Sequence, residues 1–301
     1  KLKELDSLSD EDMVSIQRQN LINPKSPNPS VETLLHAFLP YKFIDHTHSI
    51  SILSLADQPN SKEICEKIYG DEIVIVPYVM PGFDLAKLAS ELHDDKSKKT
   101  KIKNIKLKGM ILLKHGVFSF GDSAEESYNN MIEIVEKAEK AIPRKIDLDL
   151  VINNKIRKFN FDNIEIVPFL RGLISKKMSV FNSNNRCIFE IIQNKKILEF
   201  TSLKNLKELS IKGVATPDHV IRTKYRPLIL DKIPKNIFSQ KNKNELLHGW
   251  LEKTEQYLNK YIEDYVKYFH ENNKRGGNIK HMLDPLPRII FIPDFGMISL
   301  G

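Results

Sequence analysis

The chain has 301 residues, of which 41% are apolar, and its 46 basic against 39 acidic side chains give a formal charge of +7. That length holds one large domain or two ordinary ones around a real core. The excess charge is largely lysine in polar stretches such as "DDKSKKTKIKNIKLK", a solvated surface rather than a nucleic-acid footprint, so no nucleic-acid partner is expected.

Residues 1–22 read as a polar helix, and "NPKSPNPS" is a turn-rich loop with three prolines. Ser30 is placed to cap a helix through "VETLLHAFL", stopped by Pro40. "KFIDHTHS" reads as a strand, and "ISILSLA" fits either a helix or a continuation of that strand. "SKEICEKIYG" is a short helix ending at Gly70, and "EIVIVPYV" is a strand. "FDLAKLASELHDD" is an amphipathic helix, and the lysine-rich stretch from Asp94 follows as a loop. "GMILLKHGVFSFG" begins as a strand and breaks at Gly116. "SAEESYNNMIEIVEKAEKAI" is a long helix with Ser123 and Glu126 spaced as a capping box. This alternation predicts a layered α/β domain over 1–143.

After Pro143 the texture changes, and 144–301 reads as a C-terminal α/β extension. "KIDLDLVINN" and "CIFEIIQNKKILEFTSL" suggest strands and a further α/β unit. "GVATPDHVIRTKYRPLIL" is polar at odd positions for a plain loop. "NELLHGWLEKTEQYLNKYIEDYVKYFHENN" is a long amphipathic helix, and its tyrosines, Tyr257, Tyr261, Tyr265 and Tyr268, are read as packing residues. "PRIIFIPDFG" is a buried-type strand running into a glycine, and no internal repeat is legible.

No run of about 18 apolar residues exists, so no membrane span is expected. The two cysteines, Cys65 and Cys187, have neither metal spacing nor a disulfide framework, which points to a reducing, cytoplasmic location. The first residues lack an apolar signal-peptide core. The chain opens on Lys1 and stops at "FGMISLG", so a piece of a longer protein is expected.

The chemistry-bearing residues are few. His46 and His48, at i and i+2 of a strand, share one face, whereas Asp45 points to the other and is left out of any ligand set. Such a pair is either two packed histidines or half of a metal site, and a site needs a third ligand. His115, at the end of an apolar strand and before a glycine, is the candidate. Three histidines would leave a coordination position open for substrate. Spacing alone leaves both readings standing. Glu32 lies at a helix start, where it either satisfies the helix terminus or serves as an acid/base beside a bound anion, with Ser30 as a candidate substrate contact. His36, four residues on, shares its face. Arg222 and Lys224 are candidates for an anionic substrate group or for exposed charges on a turn.

Taken together, "HTHSISILSLA", "LLKHGVFSFGDSAEESYNNM" and the glutamate of "PSVETLLHAFLPYKFIDHTH" resemble the metal and acid/base motifs of the class II aldolase/adducin family. "VPYVMPGFDLAKL", "GVATPDHVIRTKYRPL" and "DPLPRIIFIP" further resemble the aldolase part of bifunctional rhamnulose-1-phosphate aldolase/short-chain dehydrogenase proteins. The resemblance covers nearly the whole chain. It implies a three-layer class II aldolase-like α/β domain with a mainly antiparallel central sheet, and usually a homotetramer. It implies a divalent metal, most often zinc, with manganese, cobalt or magnesium as substitutes, on His46, His48 and His115, and Glu32 as catalytic acid/base. The implied reaction is retro-aldol cleavage of a ketose 1-phosphate. Same-fold alternatives are a sugar-phosphate 4-epimerase, a dehydratase, or a metal-free adducin-like module. No Gly-Asn-Ser-type phosphate loop precedes Glu32, and NAD(P) would belong only to a further C-terminal domain outside this chain.

Overall fold

The computed structural model describes residues 2–142, 164–181, 186–234, 237 and 241–301. Contacts divide the chain into two compact units, Lys1–Arg144 with Ala215–Asp218, and Lys145–Val214 with His219–Gly301.

The first unit contains, in chain order, α1 (Asp10–Gln19), α2 (Thr33–Phe38), β1 (Phe43–Thr47), α3 (Ile50–Ala56), α4 (Ser61–Tyr69), β2 (Ile73–Val76), α5 (Phe83–Ile102), β3 (Gly109–Leu112), β4 (Gly116–Gly121) and α6 (Ala124–Ala141). The sheet order is β1-β4-β3-β2, antiparallel except for the β2/β3 pair. Strand alternation sorts its side chains onto two faces. Val74, Val76, Met110, Leu112, Phe118 and Phe120 join Leu34, Leu35 and the apolar stripe of α5 in one buried cluster. Ile73, Ile111 and Val117 join residues of α3, α4 and α6 in another. The result is a helix–sheet–helix sandwich of three layers.

Local chemistry explains where the elements start and stop. Ser123 caps α6 by accepting the Glu126 N–H at 3.1 Å, and the Glu126 carboxylate accepts from the Asp122 N–H at 2.8 Å, one residue before the cap. Ser30 does not cap α2; its Oγ accepts from the Glu32 N–H at 3.2 Å and its carbonyl from the Thr33 N–H at 3.1 Å, so a tight turn comes first and the helix begins at Thr33. Asp94–Ile102 of the lysine-rich stretch expected as a loop form the second half of α5, and 103–108 connect it to β3 as a loop. Lysine is a good helix former, and Asp71 holds both Lys96 and Lys103 at 2.8 Å, so this half is tied to the sheet side of the unit. The 1–22 helix is shorter than expected, beginning at Asp10 where Ser9 Oγ accepts the Asp12 N–H at 3.1 Å.

The second unit contains α7 (Ile166–Phe181), β5 (Phe189–Ile192), α8 (Lys195–Thr201), α9 (Leu206–Ser210), α10 (Pro217–Thr223) apart from Pro217 and Asp218, which belong to the first unit, β6 (Leu228–Ile229), α11 (Lys243–Arg275), β7 (Ile289–Ile292) and β8 (Gly296–Leu300), with sheet order β5-β8-β7-β6. The tyrosines of α11 pack as expected: Tyr261 and Tyr265 are buried, and Tyr268 stacks on Tyr225 at 4.3 Å. Within "CIFEIIQNKKILEFTSL", FEII is the strand and KKILEFT is helical, with Asn194 Oδ1 capping it by accepting the Ile197 N–H at 3.0 Å. The strand expected in "KIDLDLVINN" lies outside the described residues. Among the described residues, no helix is long and apolar enough to cross a membrane.

Candidate metal centre

Three elements of the first unit deliver the side chains. β1 carries His46 and ends just before His48. The β3–β4 hairpin turns through Lys114, in a left-handed conformation at φ 61°, and presents His115 directly before Gly116. Glu32 stands at the start of α2. The ligand atoms of Glu32, His46, His48 and His115 all lie within 4.8 Å of one another. Among the described residues, this is the set of histidine, cysteine and carboxylate side chains close enough to share an ion.

Each imidazole turns its Nε2 inward. His46 Nδ1 lies 3.0 Å from the Val117 carbonyl oxygen, to which it donates. His46 also stacks on Phe118 at 4.1 Å, and His36 meets the same ring edge-on at 5.2 Å. His36 therefore packs rather than orienting Glu32, and burial pushes its imidazole down from the ordinary histidine value. His48 Nδ1 donates to the Asp218 carboxylate at 2.6 Å. With both Nδ1 atoms protonated, the Nε2 atoms of His46 and His48 are bare, yet they face each other at 3.0 Å. Two lone pairs at that distance repel unless a cation or proton lies between them. The donor set therefore suits a divalent metal of zinc type, with outer partners that fix ring tautomers. His115 Nε2 lies 2.7 Å from Glu32 Oε1, and that oxygen is 3.3 Å from His46 Nε2.

Glu32 departs from expectation in one respect. A raised carboxyl pKa suits an acid/base in a dry pocket, but hydrogen bonding to His115 and then His46 outweighs burial and holds Glu32 well below the usual carboxylate range. In this arrangement it is a carboxylate whose basicity is held down by its two histidine contacts.

Gly116 is sterically required. A Cβ there would sit 2.6 Å from the Thr47 carbonyl oxygen, 2.8 Å from His48 Cδ2 and 3.0 Å from His46 Cε1. Gly116→Ala is expected to cost about 1–3 kcal/mol of stability, as overpacking does, and to weaken metal binding about tenfold by moving both rings. Urea midpoints and a metal titration read the two effects separately.

The remaining sequence candidates fall elsewhere. Ser30 closes the turn before Glu32, its Oγ accepting from the Glu32 N–H and its carbonyl from the Thr33 hydroxyl. Asp45 is exposed and is not among the four clustered residues. Arg222 lies on the exposed last turn of α10. Lys224, expected as an exposed anion contact, is buried in the second unit, donating to the Asp284 carbonyl at 2.6 Å and lying over the Tyr265 ring at 4.4 Å. Burial pushes its amine down to about 8 from 10.5. The unfolded chain then holds the extra proton between these values, so this contribution to stability rises as pH climbs from about 8 to 10.5. Relative to wild type, Lys224→Met should flatten that rise by on the order of 1–3 kcal/mol in urea midpoints taken across the window. Sequence reasoning missed Asp218, although it singled out the surrounding polar stretch; a carboxylate reveals itself as a histidine's partner only once the fold brings 170 residues' separation down to hydrogen-bonding distance.

Two family profiles divide the chain between them. Class II Aldolase and Adducin N-terminal domain matches residues 2–142, and Aldolase class II, second domain, matches residues 162–301. The chain belongs to the class II aldolase and adducin family. A relative from Bacillus subtilis (strain 168), the "Uncharacterized oxidoreductase YuxG", is 32% identical over 98% of this chain. The class II aldolase-family chain spans only 40% of that relative's length. A solved structure, the N-terminal class II aldolase domain of a conserved protein from Thermoplasma acidophilum, is 39% identical over 47% of this chain and 61% of its own, with a TM-score of 0.40.

Proposed function

We propose that the first unit is a metal-dependent aldolase that cleaves a ketose 1-phosphate of rhamnulose-1-phosphate type into dihydroxyacetone phosphate and an aldehyde. His46, His48 and His115 would hold the divalent ion, zinc by preference, and Glu32 would be the acid/base. The observation that carries this reading is the inward convergence of three imidazole Nε2 atoms beside one carboxylate. Family membership supplies the reaction class.

Retro-aldol cleavage breaks a C–C bond and leaves its electron pair on the ketone-bearing fragment. A bound divalent cation supplies positive charge opposite the oxygen where negative charge accumulates. Val117 and Asp218 hold the rings of His46 and His48 in one tautomer with Nε2 free, whereas His115 would exchange its Nε2 contact with Glu32 for the ion. Glu32 Oε1, beside the three Nε2 atoms, would take the proton of the hydroxyl on the carbon that becomes the aldehyde as the C–C bond breaks and return it to the fragment's nucleophilic carbon. Phe118 backs His46 and keeps water from that face.

The oxidoreductase named in the Bacillus relative would reside in the part of that protein this chain does not span, and any NAD(P) with it. The protein would act as a homo-oligomer, a tetramer by analogy with its family, in the cytoplasm. The test is product analysis on zinc- or manganese-reconstituted protein given rhamnulose 1-phosphate. Two fragments are expected. An epimeric sugar phosphate would reassign the reaction to the 4-epimerases, and recovery of unchanged substrate from a panel of ketose 1-phosphates would sink the aldolase reading.

A further inference from the structure

The two sheets have the same strand order and the same pairing senses. In each, the first strand is antiparallel to the fourth, the fourth antiparallel to the third, and the third parallel to the second. The correspondence extends to the register. In the hairpins, Gly109 pairs with Ser119 and Leu112 with Gly116, while Ile289 pairs with Ser299 and Ile292 with Gly296, a uniform offset of 180 residues (289 − 109, 299 − 119, 292 − 112, 296 − 116). The turn repeats as well: Lys114 and Asp294, at the same offset, both hold φ 61°. So does the crowding behind it, because a Cβ on Gly116 would meet the Thr47 carbonyl at 2.6 Å and one on Gly296 the Ile192 carbonyl at 2.6 Å.

The flanking strand follows with its own constant offset. His46 pairs with Phe118 and Thr47 with Val117; Ile191 pairs with Ile298 and Ile192 with Met297, an offset of 145 residues (191 − 46, 192 − 47). The seven-residue helices α3 and α8 then begin at Ile50 and Lys195 and end at Ala56 and Thr201, again 145 apart (195 − 50, 201 − 56). A long helix, α5 or α11, precedes each hairpin. Register, helix length, turn conformation and glycine crowding are separate features, and all four recur in the same positions.

We propose that the second unit is a second copy of the metal-binding fold whose metal position has been silenced. The repeat absent from the sequence is thus present in the backbone. At the offsets just given, His46 corresponds to Ile191, His48 to Gln193 and His115 to Phe295. Phe295 is buried, and Gln193 Nε2 donates to its carbonyl oxygen at 2.7 Å, so one amide and two apolar side chains fill the place of three imidazoles. None of the three substitutes is a metal ligand of zinc type. Among the described residues there are therefore two equivalent positions and one candidate centre. This rests on the reading that His46, His48 and His115 hold a metal.

The test counts cobalt(II) bound per full-length chain, by equilibrium dialysis and by the absorption of tetrahedral cobalt. Wild type is expected to bind one equivalent and His46→Ala/His48→Ala none. Adding Ile191→His, Gln193→His and Phe295→His to that double variant is expected to restore one equivalent. A control with Glu190→His and Ile192→His in place of the first two, on the opposite strand face, is expected to restore none. Should the core change at Phe295 prevent folding, Ile191→His/Gln193→His alone is expected to gain one weaker nickel equivalent over the double variant. A second wild-type equivalent that survives His46→Ala/His48→Ala, or folded grafted variants that gain no metal, would overturn the proposal. Wild type binding no metal at all would instead overturn the metal reading of the first unit.

Discussion

His46→Ala is expected to yield a folded protein that purifies without stoichiometric metal and cleaves its ketose 1-phosphate at least about 10³-fold more slowly. A Lewis acid at the developing oxyanion contributes several kcal/mol, and about 1.4 kcal/mol is worth a factor of ten. Of the three proposed ligands, His46 is held by contacts on both its ring edge and its ring face. Its Nδ1 is fixed by the Val117 carbonyl and its ring by Phe118, so alanine removes a donor whose direction the sheet sets. It also leaves Phe118 with an uncovered face, which adds a modest loss of stability to the loss of metal. Metal analysis of the purified variant, its cleavage rate at saturating added zinc, and its urea midpoint separate the two losses. Full retention of metal together with wild-type cleavage would remove His46 from the centre.

Glu32→Gln is expected to do something different. Glutamine keeps the size of the side chain but cannot carry a proton between substrate atoms, and positioned acid/base groups contribute about 10²–10⁴ in rate. The variant should therefore bind about one metal per chain and lose about 10²- to 10⁴-fold in kcat, with a smaller change in KM. Because the three imidazoles remain, loss of metal would instead make Glu32 mainly a ligand. Loss of neither metal nor rate would show that the carboxylate lies beside the reaction without taking part in it.

Strand periodicity alone indicated that His46 and His48 share a face, and the apolar run before Gly116 indicated a chain reversal at His115. Both are local signals, carried by residues within a few positions of one another, and they were legible. The conformations that depend on distant partners were not. The lysines after Asp94 are largely solvated as they looked, but the helix they continue was missed, because Asp71, which holds Lys96 in α5 and Lys103 just past its end, lies 25 and 32 residues away. Lys224 looked like an exposed cation because its burial depends on Tyr265 and the Asp284 carbonyl. The ring partners of the histidines are a carbonyl on another strand and a carboxylate far along the chain, neither of which has a sequence pattern. The likeness between the halves was hidden for a related reason: a sheet specifies strand pairing through alternation and turn geometry, which many sequences satisfy, whereas the ligands that would have flagged it are the residues that changed.

His46 and His115 are 69 positions apart in the chain (115 − 46), yet Thr47 and Val117 are already paired across β1 and β4. The long loop between the ligands is therefore closed by backbone hydrogen bonds before any ion arrives, and the entropy of closing it is charged to the sheet. An ion at this centre would act as a guest in a finished frame, unlike one that staples a small domain from an unfolded chain. Stripping the metal with a chelator should silence the chemistry and lower the melting temperature by the binding linkage alone, while the sandwich and its helices stay folded at about 25 °C.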